Sequence, residues 1–179
     1  MTPLLTTQRL NLQPFTLDDA PFILALLNEP SFLQFIGDRR VRTLETARQY
    51  LRQGPIASYQ KNGFGLYLTT LKENGAPIGM CGLIKREGLA DVDIGYAFLP
   101  AYWGQGYATE AAAAVLAYGK TVIGLNRIVA ITAIANNSSI KVLERIGLRF
   151  ERLLTLPGED EEIMLFAWDR PSPATNQPS

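Results

Sequence analysis

Two glycines, Gly104 and Gly106, stand between a β-rich run, Val92 to Leu99, and an alanine-rich stretch of high helix propensity, Tyr107 to about Lys120. A strand that passes into a helix through so short a turn leaves few architectures open. Without side chains at 104 and 106 the backbone approaches a ligand closely, and the first N–H groups of the helix have no intrahelical acceptors. Such a turn suits a phosphate or diphosphate, although an ordinary surface turn has the same composition. A dinucleotide fold would place this fingerprint after the first strand of a βαβ unit, with an acidic residue about 20 positions on. Here it comes late, after several β-rich runs, and it lacks the lysine and hydroxyl residue of a nucleoside triphosphate loop.

The elements around the turn follow from periodicity. Arg9 to Phe15 alternates as a strand, and Thr16 with Asp19 resembles a capping box opening the apolar helix Pro21 to Leu27. Phe32, Leu33, Phe35 and Ile36 form an apolar cluster, either core or a lid over a substrate, and a second helix is expected from Thr43, with Leu44, Ala47 and Leu51 on one face. Phe64 to Leu71 and Pro77 to Lys85 are β-rich runs joined at Asn74-Gly75, and Val92 to Leu99 completes a meander. Beyond the alanine-rich helix come a strand, Arg127 to Ile134, a helix from Ser138 to Ile146 closed by Gly147, and strands near Phe150 to Leu156 and Ile163 to Trp168. This order predicts one α+β domain over residues 1–170 with a mixed sheet, and Pro171 to Ser179 reads as a disordered tail.

Composition narrows the chemistry. The chain of 179 residues has no histidine, which removes the commonest general base, the Ser-His and Cys-His pairs and most catalytic zinc sites. A lone cysteine, Cys81, sits in an apolar run and reads as a buried thiol, so neither a disulfide nor a thiolate metal site is expected. Seventeen basic residues balance seventeen acidic ones, so the electrostatic footprint of a nucleic-acid binder is missing. No apolar run approaches the length of a membrane span, and Met1 to Leu10 lacks the pattern of a secretory signal, which points to the cytoplasm.

Asp93-Ile-Gly-Tyr96, Leu99-Pro100 and Tyr102-Trp-Gly-Gln-Gly-Tyr-Ala-Thr-Glu-Ala111 together resemble the coenzyme A motif of GNAT N-acetyltransferases, in the form typical of the RimJ/RimL branch that acetylates protein N-termini. Asn136-Asn-Ser-Ser139 followed by Val142-Leu-Glu-Arg-Ile-Gly147 is similar to the second family motif, and Gln8-Arg-Leu10 with Thr16 to Asp19 matches the family's opening. The resemblance runs from about residue 6 to residue 168. It implies a mostly antiparallel central sheet of about seven strands flanked by about four helices. Acetyl-coenzyme A is the implied cosubstrate, with no metal. Its diphosphate would lie on backbone amides of Gly104, Gln105, Gly106, Tyr107, Ala108 and Thr109, and its pantetheine arm along Ala97, Phe98 and Leu99. The family often opens this motif with Arg or Gln where this chain has Trp103, so one side-chain contact to phosphate is missing.

Transfer to an amine needs a neutral amine, stabilisation of the thioester oxygen and a proton for the departing thiolate. Backbone donors near Phe98 and Leu99 are implied for the oxygen. Many relatives place a tyrosine where this chain has Leu143, so the resemblance points to Ser139 as proton donor or thiol-positioning group, unless it only caps its helix. Asn136 is either a coenzyme A contact or a turn residue. Asp93 is the leading carboxylate, acting on the amine through a water or serving as a strand-end anion; Tyr96 and Tyr107 are lesser candidates. The run Glu159 to Glu162 either attracts a cationic acceptor or is a solvated loop. The acceptor is expected to be an amine, with a protein or peptide N-terminus as the leading choice. A small-molecule acetyltransferase and a non-catalytic acyl-coenzyme A-binding module are the alternatives, and oligomeric state is not legible.

Overall fold

The computed structural model describes residues 2–173; of the tail expected to be disordered, residues 174–179 lie outside the described residues. The strands are β1 (Leu5–Thr6), β2 (Leu10–Pro14), β3 (Leu66–Leu71), β4 (Pro77–Ile84), β5 (Asp93–Phe98), β6 (Arg127–Ala133), β7 (Arg149–Leu154) and β8 (Ile163–Asp169). The helices are α1 (Ala20–Leu27), α2 (Pro30–Phe35), α3 (Leu44–Leu51), α4 (Ala57–Asn62), α5 (Tyr107–Tyr118) and α6 (Asn137–Arg145). All eight strands form one sheet in the order β1-β2-β3-β4-β5-β6-β8-β7, antiparallel except where β5 meets β6.

Among the described residues, eight strands and six α-helices exceed the expected seven and four. The additional strand, β1, is two residues long and carries no period of its own. One additional helix, α2, is the apolar cluster itself, started by Pro30: Phe32 is buried in the core while Leu33 and Ile36 stay exposed. The other, α4, continues α3 beyond Pro55. A π-helical segment, Arg52–Ile56, absorbs the proline's missing N–H there, so a residue that normally ends a helix only interrupts this one. A second such segment, Gly119–Ile123, ends α5 and holds the chain's Gly119-Lys120-Thr121, far from any strand-to-helix turn.

The caps behave as expected. The Thr16 N–H donates to the Asp19 carboxylate at 2.8 Å ahead of α1, and Thr43 Oγ1 accepts from the Thr46 N–H at 3.1 Å to start α3. Side-chain alternation then divides the core between the two faces of the sheet. On one, α5 and α6 cover Leu10, Leu12, Ile78, Leu83, Ile94 and Phe166; on the other, α1 and α3 cover Phe15, Leu68, Met80 and Ala97. Cys81 is buried on the α5 face, opposite Tyr96 in the β4–β5 ladder, and burial pushes its thiol up, consistent with a packing role.

The join between β5 and β6 positions everything that follows. These parallel strands pair at Asp93↔Val129, with the Val129 N–H donating to the Val92 carbonyl at 3.0 Å, and no pair continues beyond it toward their C-terminal ends. The strands therefore open into a gap flanked by the turn at 104–106 on one side and the start of α6 on the other.

Candidate active site

Along β5, hydrogen bonds alternate between its neighbour β4 and the gap. The Leu99 N–H donates to the Ile78 carbonyl at 2.9 Å, so Leu99 and Ala97 direct their backbone groups to β4, whereas those of Tyr96 and Phe98 face the gap. Of the three residues expected along the pantetheine arm, Ala97 and Leu99 line the α1–α3 side and turn their backbone groups to β4, while Phe98 turns its own to the gap. The Phe98 carbonyl is taken by the Trp103 indole N–H at 2.9 Å, which leaves the Phe98 N–H as the aligned donor at the strand's end. Trp103 itself is 52% exposed, its ring forming a wall beside the gap.

The turn takes the conformation that its glycines predict. Gly104 and Gly106 have φ of +74° and +82°, a region that residues with a Cβ rarely adopt. Gly106 is the N-cap of α5 and has no side chain with which to cap it, and the Glu110 N–H is the first to return to the Gly106 carbonyl, at 3.0 Å. The N–H groups of Tyr107, Ala108 and Thr109 precede the first intrahelical bond, and the helix dipole adds positive potential where they point. Gln105 is exposed and its side-chain amide reaches back toward the Ala101 carbonyl at 3.4 Å. A diphosphate fits this donor set.

On the far side of the gap, Asn136 is the N-cap of α6, its Oδ1 accepting from the Ser139 N–H at 3.2 Å. Asn136 is thus the capping residue, and Ser139, in the first turn, is free of that duty. Its Oγ lies 2.8 Å from the Tyr96 hydroxyl, which is also 3.2 Å from the Ser139 carbonyl. Burial pushes the Tyr96 phenol up, against the lowering effect of the Ser139 bond, so it stays a neutral donor. The Tyr96 hydroxyl has one proton and two acceptors in reach, the Ser139 carbonyl and Oγ; when it donates to Oγ, the serine hydroxyl proton is left free for another partner. Leu143, in place of the common tyrosine, is buried in the α5–α6 core and contributes no polar group.

A match over residues 9–149 to the model of the acetyltransferase (GNAT) domain covers most of this chain. The chain belongs to the GNAT acetyltransferase family. Among similar proteins, this acetyltransferase is 30% identical over 156 residues to the uncharacterized N-acetyltransferase YoaA of Bacillus subtilis, covering 86% of this chain and 87% of that one. An acetyltransferase crystal structure from Agrobacterium tumefaciens superimposes with a TM-score of 0.80 at 25% identity, covering 95% and 96%. RimL, a ribosomal L7/L12 α-N-protein acetyltransferase solved with coenzyme A, shares the fold with a TM-score of 0.81 at 19% identity, covering 94% and 98%. Acetyl-coenzyme A is the acyl donor of this acetyltransferase.

Asp93 does not join the Ser139 group. It lies three residues before Tyr96 and so faces the α1–α3 side, 1% exposed, with one oxygen 3.3 Å from Arg86 Nη2. Burial raises its pKa and Arg86 opposes the rise. The other oxygen and Arg86 Nε are buried without partners. Removing the carboxylate strands the guanidinium. Asp93→Ala is expected to lower the acetyltransferase's unfolding free energy, read by urea denaturation, by about 2 kcal/mol, below the ~3–5 of a fully buried pair because Arg86 retains contact with water. A smaller change would mean that the pair is not structural. Sequence reasoning missed Arg86, whose seven-residue separation from Asp93 carries no periodic signal, and it undervalued Tyr96, whose partner lies 43 residues away.

Proposed function

We propose that this acetyltransferase moves the acetyl group of acetyl-coenzyme A directly to the α-amine of a protein or peptide N-terminus, in the cytoplasm. Support for a ternary complex comes from the gap between β5 and β6, which gives donor and acceptor opposite approaches to the same point. In this reading the diphosphate rests on the Gly104–Thr109 amides and the Phe98 N–H faces the thioester oxygen as negative charge develops. Ser139, polarised by Tyr96, donates the proton that leaves with sulfur.

The observation that carries the choice of acceptor is that Asp93 is engaged with Arg86 and almost fully covered, in a chain without histidine. A site with no free strong base favours an amine that is easily deprotonated. An α-amine of pKa about 8 costs roughly 1.4 kcal/mol to deprotonate at pH 7, against roughly 4.6 for a lysine of pKa about 10.4. The fold shared with RimL agrees with this reading. The test is an acceptor screen by thioester cleavage, using peptides with different first residues, lysine ε-amines, polyamines and free amino acids. N-terminal peptides are expected to lead, and a preference for polyamines or ε-amines would overturn the assignment.

Glu159 to Glu162 lie in the β7–β8 connection, at the end of the sheet where Ile163 pairs with Ala133, three residues before Asn136. At that end they can draw in an ammonium group. Neutralising all four residues is expected to raise KM for a cationic peptide about threefold to tenfold at low salt, with the effect fading at 0.5 M salt and KM for acetyl-coenzyme A unchanged. An acceptor KM insensitive to mutation and salt would make the run a solvated loop.

A further inference from the structure

The diphosphate cradle has no cation of its own. From Glu87 to Gly119 the chain contains neither lysine nor arginine, and the place where an Arg or Gln side chain would enter is held by Trp103. The structure brings one in from the N-terminal segment. Arg9, immediately before β2, directs its guanidinium beneath the turn: Nη1 donates to the Gln105 carbonyl at 2.8 Å, and Cζ lies 4.3 Å from the centre of the Tyr107 ring. A Cβ built on Gly106 would stand 3.3 Å from Nη2. The guanidinium thus touches the cradle on both sides of Gly106, at the Gln105 carbonyl and at the Tyr107 ring.

Its position is fixed from behind by Glu110. One Glu110 oxygen accepts from Arg9 Nε at 2.7 Å, and the other accepts from the Arg9 backbone N–H at 2.8 Å and from the Thr7 hydroxyl at 2.6 Å. Partial burial works against the Glu110 charge, but these bonds outweigh it and hold the carboxyl below its usual range, so the pair is intact at neutral pH. In a trans peptide the carbonyl of residue 105 and the N–H of residue 106 point in opposite directions. Drawing the Gln105 oxygen onto Arg9 therefore turns the Gly106 N–H toward the open face of the turn and keeps a partial negative charge away from an anion there. With Gly106 on one side of it, this peptide would otherwise flip readily.

We propose that Arg9 is a positioning residue for the diphosphate of acetyl-coenzyme A, acting through the Gln105–Gly106 peptide. The inference rests on the reading of residues 104–109 as the diphosphate cradle. It predicts that Arg9 matters only for donors that carry the diphosphate. It also predicts that charge alone does not replace it, because a lysine ammonium reaches either Glu110 or the Gln105 carbonyl but lacks the planar fork that holds both.

The experiment compares wild type with Arg9→Lys and Arg9→Gln. Coenzyme A affinity is measured by calorimetry, and kcat/KM is measured with acetyl-coenzyme A and with S-acetylpantetheine, which keeps the thioester and arm but lacks the diphosphate. Both variants are expected to bind coenzyme A roughly tenfold more weakly, the effect of losing one charge-assisted hydrogen bond, while kcat/KM with S-acetylpantetheine stays at the wild-type value. Arg9→Lys keeps an ion pair with Glu110 and serves as the folded control should Arg9→Gln lose structure. Equal losses with both donors, or wild-type affinity in Arg9→Lys, would overturn the role. A wild-type enzyme that binds coenzyme A no better than pantetheine would overturn the cradle reading as well, and so tells the two failures apart.

Discussion

Gly106→Val is expected to weaken coenzyme A binding about a hundredfold or more while leaving a folded protein. At φ +82° a β-branched residue is strained, and its Cβ would press to 3.3 Å from Arg9 Nη2. The left-handed conformation alone costs a residue with a Cβ roughly 1–2 kcal/mol. If the turn relaxes to relieve that strain, the N–H groups lose their aim, and each charge-assisted bond to phosphate is worth about 1.5–3 kcal/mol. Strain and lost aim act on the ligand site and not on the core, because the turn is exposed. Gly104→Ala is the comparison: nothing stands within 4 Å of its Cβ, so only backbone strain applies and the loss should be smaller. Calorimetry with coenzyme A, alongside thermal unfolding, decides. A folded Gly106→Val protein with near-native affinity would remove the cradle from the mechanism.

Ser139→Ala is expected to lower kcat by about ten- to a hundredfold with little change in KM for acetyl-coenzyme A. General-acid assistance is typically worth about 10²–10⁴. The lower end applies here, because a thiol of pKa about 8.5, as in the cysteine model, is a fair leaving group without help. A contact made chiefly in the transition state lowers kcat and kcat/KM together. Stability should hold, since Asn136 and not Ser139 caps α6, and the Tyr96 hydroxyl keeps the Ser139 carbonyl as an acceptor. If Tyr96 acts through Ser139, Tyr96→Phe also lowers kcat, and the double variant loses no more than the larger single loss. Near-normal kcat in a stable Ser139→Ala protein would end the catalytic assignment.

What could be read from the sequence was whatever repeats or caps locally. The meander, the alanine-rich helix, the capping residues Thr16 and Thr43 and the glycine turn all express themselves within a few neighbours, and the structure places each within one or two residues of its expected bounds. Of the candidate site, the local geometry was legible where motifs are contiguous: a positive-φ glycine turn leading into a helix at residues 104–109 and a capped helix start at residues 136–139. What escaped depends on pairings between distant segments. Arg9 meets Glu110 across 101 residues, and Tyr96 meets Ser139 across 43. Neither pair leaves a periodic trace. The fate of Leu99 was hidden for another reason: which strand its N–H faces is set by the register of β4 against β5, and a shift of one residue would exchange it with Phe98.

The single pairing of β5 with β6 has a consequence for how the molecule opens. Up to β5 each strand neighbours its predecessor, and β6, β8 and β7 form a second group of their own, so the sheet is two locally closed assemblies meeting at a narrow seam. Within the sheet this boundary has the fewest shared bonds, and it is the packing of α5 and α6 over both groups that holds the two sides together. Tyr96 belongs to the first assembly and Ser139 follows the first strand of the second, so their hydroxyl contact spans the seam. The hydroxyl pair proposed for proton donation is therefore assembled only when the two halves are in register, and an opening along the seam would dismantle it before either half unfolds.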